Sequence, residues 1–210
     1  MTPASPRGPA SRKRHRIIRA VCALAVLAGS MATAIAADLT AGAEKAQACI
    51  ACHGPAGISQ MAGTPSLAGQ HESFLRGQLV HFRAGTRKSP VMLPMAATLS
   101  DGDIRELASY FAALPPPPAG SNGAAGPAML ARGQAIAEEN RCASCHRLTY
   151  AGLQATPRVA YQREDYLLES LRNFKAGMRA GGSASAMADA VAPLEDDQLR
   201  ALAHFMAHLP

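Results

Sequence analysis

Two short stretches of the sequence carry a pair of cysteines followed directly by a histidine. They read Cys-Ile-Ala-Cys-His at 49–53 and Cys-Ala-Ser-Cys-His at 142–146. Two thiols at this spacing can each form a thioether with one side of the same porphyrin, and the adjacent imidazole can bind the iron. Cys-x-x-Cys-His is the attachment signature of c-type haem, so the two copies predict two covalently bound haem c groups. The residues that would hold them are Cys49, Cys52, Cys142 and Cys145, with His53 and His146 on the irons.

Zinc sites and thioredoxin-like redox motifs also use Cys-x-x-Cys pairs. The two pairs of a zinc ribbon lie about 15–20 residues apart, whereas these begin at 49 and 142, on either side of a proline-rich stretch. A thioredoxin-like motif belongs to a βαβ unit, and the sequence has no alternating strand pattern. Neither class accounts for the histidine that follows both pairs, so we exclude both.

The N-terminal segment is typical of an export signal. Basic residues precede an apolar run from Ala20 to about Ala28, and Ala34-Ile-Ala36 offers a small-x-small cleavage site. This order predicts a secretory signal peptide, cleaved after Ala36 or Ala37. An uncleaved anchor is the weaker alternative, because a membrane span needs about 20 apolar residues. We therefore expect residues 1–37 to be removed and the mature chain to work in the periplasm.

Removal of residues 1–37 changes the charge balance. The whole chain has 21 Lys and Arg and 15 Asp and Glu. The signal segment holds 6 of the basic residues and no acidic one, so the mature chain has 21 − 6 = 15 of each. The basic excess belongs to the precursor, so we expect neither nucleic acid nor strong membrane binding after cleavage. The four cysteines that remain all lie in the two motifs.

The mature chain reads as a tandem repeat around a linker. A run of four prolines at 115–118, followed by Gly- and Ser-rich sequence, predicts a linker over 116–127 between domains 38–115 and 128–210. Many residues of the first domain recur 92 positions later, and after a three-residue insertion the offset becomes 95. A period this long indicates a duplicated domain. Examples are Pro65 and Pro157, Gln70 and Gln162, Phe82 and Phe174, Arg87 and Arg179, and Leu99 and Leu194.

Apolar residues at helical spacing predict an all-α fold. Ser100 and Asp103 resemble a capping box at the start of a helix that ends before Pro115. A similar helix ends at Pro210, a middle helix occupies each half, and a short helix precedes each cysteine motif. Gly42 and Gly133 lie in the two short helices. We expect them to allow a close crossing against the aromatic residues of each C-terminal helix, with tolerated surface glycines as the alternative.

An electron-transfer haem usually has a second axial ligand, and methionine is common in cytochromes c. Met92 and Met187 are the methionine pair that the repeat superimposes just ahead of each C-terminal helix. Met95 is the competitor in the first half, and Met178 has no counterpart. The other histidines of the mature chain have no histidine at the matching position of the other half. These histidines are His71, His81, His204 and His208, and we expect them to be solvated or surface-bonded. Haem ligation by His204 or His208 is a weaker alternative.

With these residues in view, the chain resembles the dihaem cytochrome c4 family, which has two class I cytochrome c domains in tandem. The stretches at 49–57, 65–70, 78–85 and 99–111 carry the resemblance, which extends over 38–210. It implies an all-α fold in which each domain wraps around a covalently bound haem. It also implies His/Met ligation of both irons, and that the carbonyls of Pro65 and Pro157 accept a hydrogen bond from the ligand imidazoles.

The second half departs from the family pattern at three places. Arg147 follows the motif where glycine is usual, and Val-Ala-Tyr-Gln at 159–162 replaces Leu-Ala-Gly-Gln. The segment 181–186 is expected to make a small, flexible methionine loop. These changes leave the potential and the partner surface of the second domain open.

The resulting functional hypothesis is an exported electron carrier and not an enzyme. We expect it to pass single electrons between respiratory partners, such as a quinol-oxidising complex and a terminal oxidase. The main alternative is the cytochrome subunit of a periplasmic dehydrogenase that receives electrons from a flavin or another cofactor. A peroxidase with one open iron position is the weakest of the three.

Overall fold

A computed structural model describes residues 39–179 and 184–210. The proposed signal peptide, residues 1–37, lies outside these residues, as does the start of the glycine-rich loop at 181–183. The described residues form helices joined by loops and contain no strand, only two isolated β-bridges. The all-α prediction is confirmed.

From residue 39 to the end of the first half, the structure describes four helices. Helix α1 covers residues 39–53, and it is followed by α2 (Glu72–Arg83), α3 (Met92–Ala97) and α4 (Asp101–Ala113). The predicted capping box begins α4, because Ser100 Oγ accepts from the amide of Asp103 and the Asp103 carboxylate accepts from the amide of Ser100. These bonds satisfy amides that have no partner within the helix. The apolar face of α4 packs into the core of this half.

In the second half this arrangement recurs, with five helices among the residues that the structure describes. They are α5 (Pro127–Glu139), α6 (Ala143–His146), α7 (Glu164–Lys175), α8 (Ala184–Val191) and α9 (Asp196–Ala207). Helix α5 begins with proline, whose fixed φ suits the first helical position and whose missing N–H is not needed there. The core of this half lies between α5, α7 and α9. Residues 184–186, expected to form part of a flexible loop, begin α8 instead, so that part of the prediction is wrong.

Two glycines allow the N-terminal and C-terminal helices of each half to cross closely. A Cβ on Gly42 of α1 would lie 2.4 Å from the carbonyl oxygen of Glu106 and 2.7 Å from Cβ of Tyr110. A Cβ on Gly133 of α5 would lie 2.1 Å from the carbonyl oxygen of Ala201. No side chain fits at either crossing, so the expected packing role is confirmed and the surface-glycine alternative is wrong.

The halves dock through a reciprocal pair of glutamines. The Gln70 amide accepts from the Arg158 N–H (2.8 Å) and donates to the Arg158 carbonyl (2.9 Å). The Gln162 amide makes the equivalent bonds to Ser66, at 2.9 Å and 2.8 Å. In the repeat, Gln70 corresponds to Gln162 and Ser66 to Arg158, so the two halves are related by an approximate twofold axis. Both glutamines are buried, which makes the pairing of their amides obligatory.

The segment 116–127 is bound to the second half over part of its length. The side-chain amide of Asn122 donates to the carbonyls of Gln162 (3.2 Å) and Ala207 (3.0 Å). The Gly126 N–H donates to Nε2 of His204 at 3.1 Å. This segment therefore packs against the second half through specific polar contacts at these two residues.

Candidate haem sites

The first Cys-x-x-Cys-His motif occupies the last turns of α1, which runs without a break to His53. The His53 side chain is buried, and its Nδ1 lies 2.8 Å from the carbonyl oxygen of Pro65. A carbonyl can only accept, so Nδ1 carries the proton and donates it, and Nε2 keeps its lone pair for a metal. Burial lowers the pKa of His53, which outweighs the opposite effect of the Pro65 hydrogen bond. The imidazole is thus held neutral and oriented, as an iron ligand must be.

The second motif reaches the same geometry by a different path. Helix α5 ends at Glu139, the chain turns through Arg141 with φ 53°, and the motif then forms the short helix α6. His146 is buried, and its Nδ1 lies 3.0 Å from the carbonyl oxygen of Pro157. Burial again lowers the pKa of the imidazole, against the effect of the Pro157 bond. In both histidines, therefore, the lone pair of Nε2 is available to bind a metal ion.

No disulfide joins the four cysteines of the described residues, and two of them precede each histidine in its motif. Cys49 and Cys142 are half-buried, and burial is the main cause that raises the pKa of each thiol. Haem c requires two cysteines for its covalent attachment and an imidazole with an available Nε2 for its iron, and each motif supplies both. The residues present fit two haem c groups, although their roles as attachment and axial residues stay predictions.

The methionine candidates differ in exposure. Met92 is the first residue of α3 and is half-buried, whereas Met95 is 44% exposed. Met187 lies in α8, half-buried against the core of the second half, whereas Met178 is 52% exposed. Burial therefore favours the same pair that the repeat selects.

Two arginines meet where the halves dock, and the sequence reasoning did not single them out as functional. Arg87 and Arg179 form an antiparallel bridge, and both guanidinium groups donate to Oε1 of Gln78, at 2.6 Å and 3.1 Å. Each also stacks on an aromatic ring of its own half, Phe82 or Phe174, at 4.4 Å and 4.1 Å from the centroid. The repeat had already paired these four residues, which was the signal available in the sequence.

The arginines change the acidity of one phenol. Arg87 donates to the hydroxyl oxygen of Tyr166 at 3.0 Å. Burial alone would raise the pKa of Tyr166, but the charges of Arg87 and Arg179 outweigh it and lower the pKa to about 8. Burial also lowers the pKa of Arg179 to about 10. Among the described residues, no salt bridge includes either arginine, so no carboxylate balances their positive charge where the two halves meet.

All four remaining histidines were expected at the solvated surface, but not all of them lie there. His71 Nε2 lies 2.8 Å from the carbonyl oxygen of Ala151 and so joins the two halves. His208 is buried, and the side chain of His204 is 12% exposed. The surface prediction is wrong for His204 and His208. Their ring nitrogens face a carboxylate of α7 and the Gly126 N–H, so the structure does not support either as an iron ligand.

Comparisons with known proteins cover both halves of the chain. A family model described as cytochrome c matches residues 130–210, and one described as cytochrome c oxidase, cbb3-type, subunit III matches residues 37–111. Cytochrome c4 of Thiocapsa roseopersicina is 33% identical over 82% of this chain and 93% of its own length. The thiosulfate dehydrogenase electron acceptor of Thiomonas intermedia is 32% identical over 92% of each chain. The crystal structure of reduced cytochrome c4 from Pseudomonas stutzeri superimposes with a TM-score of 0.74, at 29% identity over 81% of this chain and 98% of that one.

Proposed function

The chain belongs to the dihaem cytochrome c4 family, and on that premise we propose that His53 with Met92, and His146 with Met187, are the axial ligands of its two haems. Family membership makes it an electron-transfer protein with two covalently bound haem c groups. The observation that carries the ligand proposal is the repeated imidazole geometry. Each candidate histidine is buried, with Nδ1 within 3.0 Å of a proline carbonyl.

The haem, when bound, supplies one-electron Fe(III)/Fe(II) chemistry. The protein's own residues attach, orient and shield it. The proline carbonyls fix each imidazole and increase its donor strength. The thioether sulfurs of Met92 and Met187, as iron ligands, would favour Fe(II) and raise the potential. The glutamine pair Gln70 and Gln162 holds the halves in one arrangement. The distance that an electron must cross between the two haem sites therefore stays constant.

Methionine variants test the ligand proposal. Met92→Ala and Met187→Ala should each abolish the methionine–iron charge-transfer band of one haem and leave the other unchanged. The potential of that haem should fall by roughly 0.1 V, within the span of about 0.8 V that axial ligands set. Met95→Ala and Met178→Ala are matched controls, since both side chains are exposed. If a control variant loses the band while the matched Met92 or Met187 variant keeps it, the exposed methionine is the ligand in that half.

The carrier works, in this proposal, between respiratory partners in the periplasm. Among the described residues, no helix is long and apolar enough to cross a membrane. The mass of the mature protein tests export, since cleavage after Ala36 or Ala37 removes the whole basic N-terminus. A protein recovered with residues 1–37 attached would contradict this part of the proposal.

A second candidate is the electron acceptor of a dehydrogenase, and the specific observation in its favour is the relative of that name in Thiomonas intermedia. The chain would then receive electrons from a thiosulfate-oxidising partner. Stopped-flow mixing with thiosulfate and a thiosulfate dehydrogenase discriminates between the candidates. The reference rate is that at which the dehydrogenase reduces an unrelated monohaem cytochrome c. Faster reduction of the haems of this chain supports the acceptor role, and an equal rate favours the general carrier.

A further inference from the structure

The second half contains a cluster of three side chains of the types that bind metal ions, and none of them belongs to the Cys-x-x-Cys-His motifs. Glu164 is the first residue of α7, and His204 and His208 lie four residues apart at the end of α9. His204 Nδ1 and His208 Nε2 lie 3.1 Å and 3.2 Å from the same carboxylate oxygen, Oε2 of Glu164. Electron transfer, as derived above, uses none of the three.

We propose that Glu164, His204 and His208 bind a divalent transition-metal ion of the zinc class. Two imidazole nitrogens and one carboxylate oxygen are the donors that Zn²⁺ prefers, whereas Ca²⁺ and Mg²⁺ prefer oxygen alone. In a tetrahedral zinc site with bonds of about 2.1 Å, neighbouring donors lie about 3.4 Å apart. Two of the three donor separations already match this value, and all three fall within 4.8 Å.

Burial and charge also suit a bound cation. The imidazole side chains of His204 and His208 are 12% and 5% exposed, whereas the Glu164 side chain is 43% exposed. An ion could therefore enter from the carboxylate side and keep a water molecule as its fourth ligand, as three-ligand zinc sites do. With neutral imidazoles the cluster carries one negative charge, which a divalent cation would compensate.

The first half shows that the fold does not require these histidines. The repeat places Glu72 at the position of Glu164, and α2 begins there as α7 does. The positions of His204 and His208 are occupied by Ser109 and Ala113. The first half thus keeps the carboxylate and lacks both nitrogen donors, yet forms the same helix pair. The histidine pair is an addition to the second half alone.

Metal binding at this site and the hydrogen bond from the Gly126 N–H to His204 exclude each other. The Gly126 N–H donates to Nε2 of His204, so this ring carries its proton on Nδ1, towards Glu164. An ion on Nδ1 would require a neutral ring to carry its proton on Nε2 instead. That proton would face the Gly126 N–H, and the bond would break. Metal binding would therefore release the backbone at the start of α5.

Zinc titration of the intact holoprotein in its oxidised state tests the site. Calorimetry should give one Zn²⁺ per chain. His204→Ala and His208→Ala should weaken binding by at least about tenfold, the smallest effect seen when even an outer partner of a ligand is removed. Glu164→Gln keeps the size of the side chain and should also weaken binding. His81→Ala is the control, since His81 bonds only Thr86 among the described side chains. A wild-type chain that binds no zinc, or histidine variants with unchanged affinity, would overturn the proposal.

Hydrogen exchange tests the coupling to the linker separately. Zinc should increase deuterium uptake in the peptide that contains Gly126, because the amide loses its acceptor. In His204→Ala the uptake should already be high and should not respond to zinc. Bound zinc with unchanged or slower exchange at Gly126 would show that the ion and the linker contact coexist, which contradicts the assigned nitrogen of His204.

Discussion

The two halves form the same turns after their Cys-x-x-Cys-His motifs from different residues. In the first half, three turns with positive φ are made by Gly54, Gly57 and Gly69, at φ 84°, 70° and 65°. The repeat places Arg147, Tyr150 and Tyr161 at these positions, and they keep positive φ, at 70°, 53° and 58°. Positive φ costs an ordinary residue roughly 1–2 kcal/mol. The second half therefore keeps the conformation despite its side chains, which shows that this path of the chain is required.

The turn at Tyr150 shows what the conformation is for. In the first half, the Gly57 carbonyl accepts from the amides of Leu67 and Ala68, at 2.7 Å and 3.0 Å. In the second half, the Tyr150 carbonyl accepts from the amides at 159 and 160, at 3.0 Å and 3.1 Å. These bonds hold the loop that carries the proline behind each histidine. The Tyr150 ring is buried against Phe205, edge to face, which offsets part of the backbone cost.

The helix crossings should give the largest effects, and they should be similar in both halves. Gly133→Ala places a methyl group 2.1 Å from the Ala201 carbonyl oxygen and should destabilise the protein by about 3 kcal/mol, the upper range for overpacking. Gly42→Ala should have a comparable effect. Gly77→Ala in α2 is the control, because nothing lies within 4 Å of the new group. It should instead stabilise the helix by about 0.5–1 kcal/mol. Denaturant unfolding measures all three, and a neutral Gly133→Ala would contradict the crossing.

The glutamine pair should contribute about equally from each side. Gln70→Ala leaves the Arg158 backbone unpaired, and Gln162→Ala does the same to Ser66. Each variant should lower the stability by about 1–3 kcal/mol, the cost of unsatisfied buried polar groups. Calorimetric scans should show the two halves beginning to melt separately. A large loss of stability from only one of the two variants would contradict the approximate twofold symmetry of the interface.

The turn after each motif should respond in opposite directions. Arg147 has φ 70° and ψ 162°, a region that is essentially restricted to glycine and costs other residues about 1–3 kcal/mol. Arg147→Gly should therefore stabilise the protein by about 1 kcal/mol after the extra chain entropy of glycine is subtracted. Gly54→Ala in the first half should destabilise it. Unfolding curves for the two variants test this, and a destabilised Arg147→Gly would show that its side chain makes a compensating contact.

The phenol between the two arginines should produce a difference between the halves that appears only at alkaline pH. The pKa of Tyr166 is lowered from 10.0 to about 8, so the folded chain holds fewer protons than the unfolded chain between these values. Stability should consequently rise with pH across this window, by up to about 3 kcal/mol for a shift of two pKa units, and this gain should disappear as the pH falls through 8. The first half has Phe74 at this position. Tyr166→Phe should abolish the rise, and an unchanged pH profile would contradict ionisation of this phenol.

Local patterns in the sequence predicted much of the fold. The capping box at Ser100 and the crossing at Gly42 depend on neighbours along one helix or on a matching position in the repeat. The departures at Arg147 and Tyr161 were visible as residue changes, but a residue type does not reveal that its φ is positive.

The contacts that join the two halves, and the packing of α7 on α9, could not be predicted in this way. The repeat equates Gln70 with Gln162, but it does not say that each reaches across to the other half. His204 in α9 and His208 directly after this helix are four residues apart, which indicates one helix face, yet their shared acceptor Glu164 depends on how α7 packs against α9. These features arise from the packing of whole helices, which spacing along the chain does not encode.

The central claim is that each half holds one haem c between a buried histidine and a methionine. A potentiometric titration of the purified protein, followed by its absorption spectrum and normalised by a pyridine haemochrome assay, tests this most directly. We predict two c-type haems per chain, two one-electron steps, and a methionine–iron charge-transfer band for both haems in the oxidised protein. A single haem, or a second haem with no such band at any potential, would contradict the account.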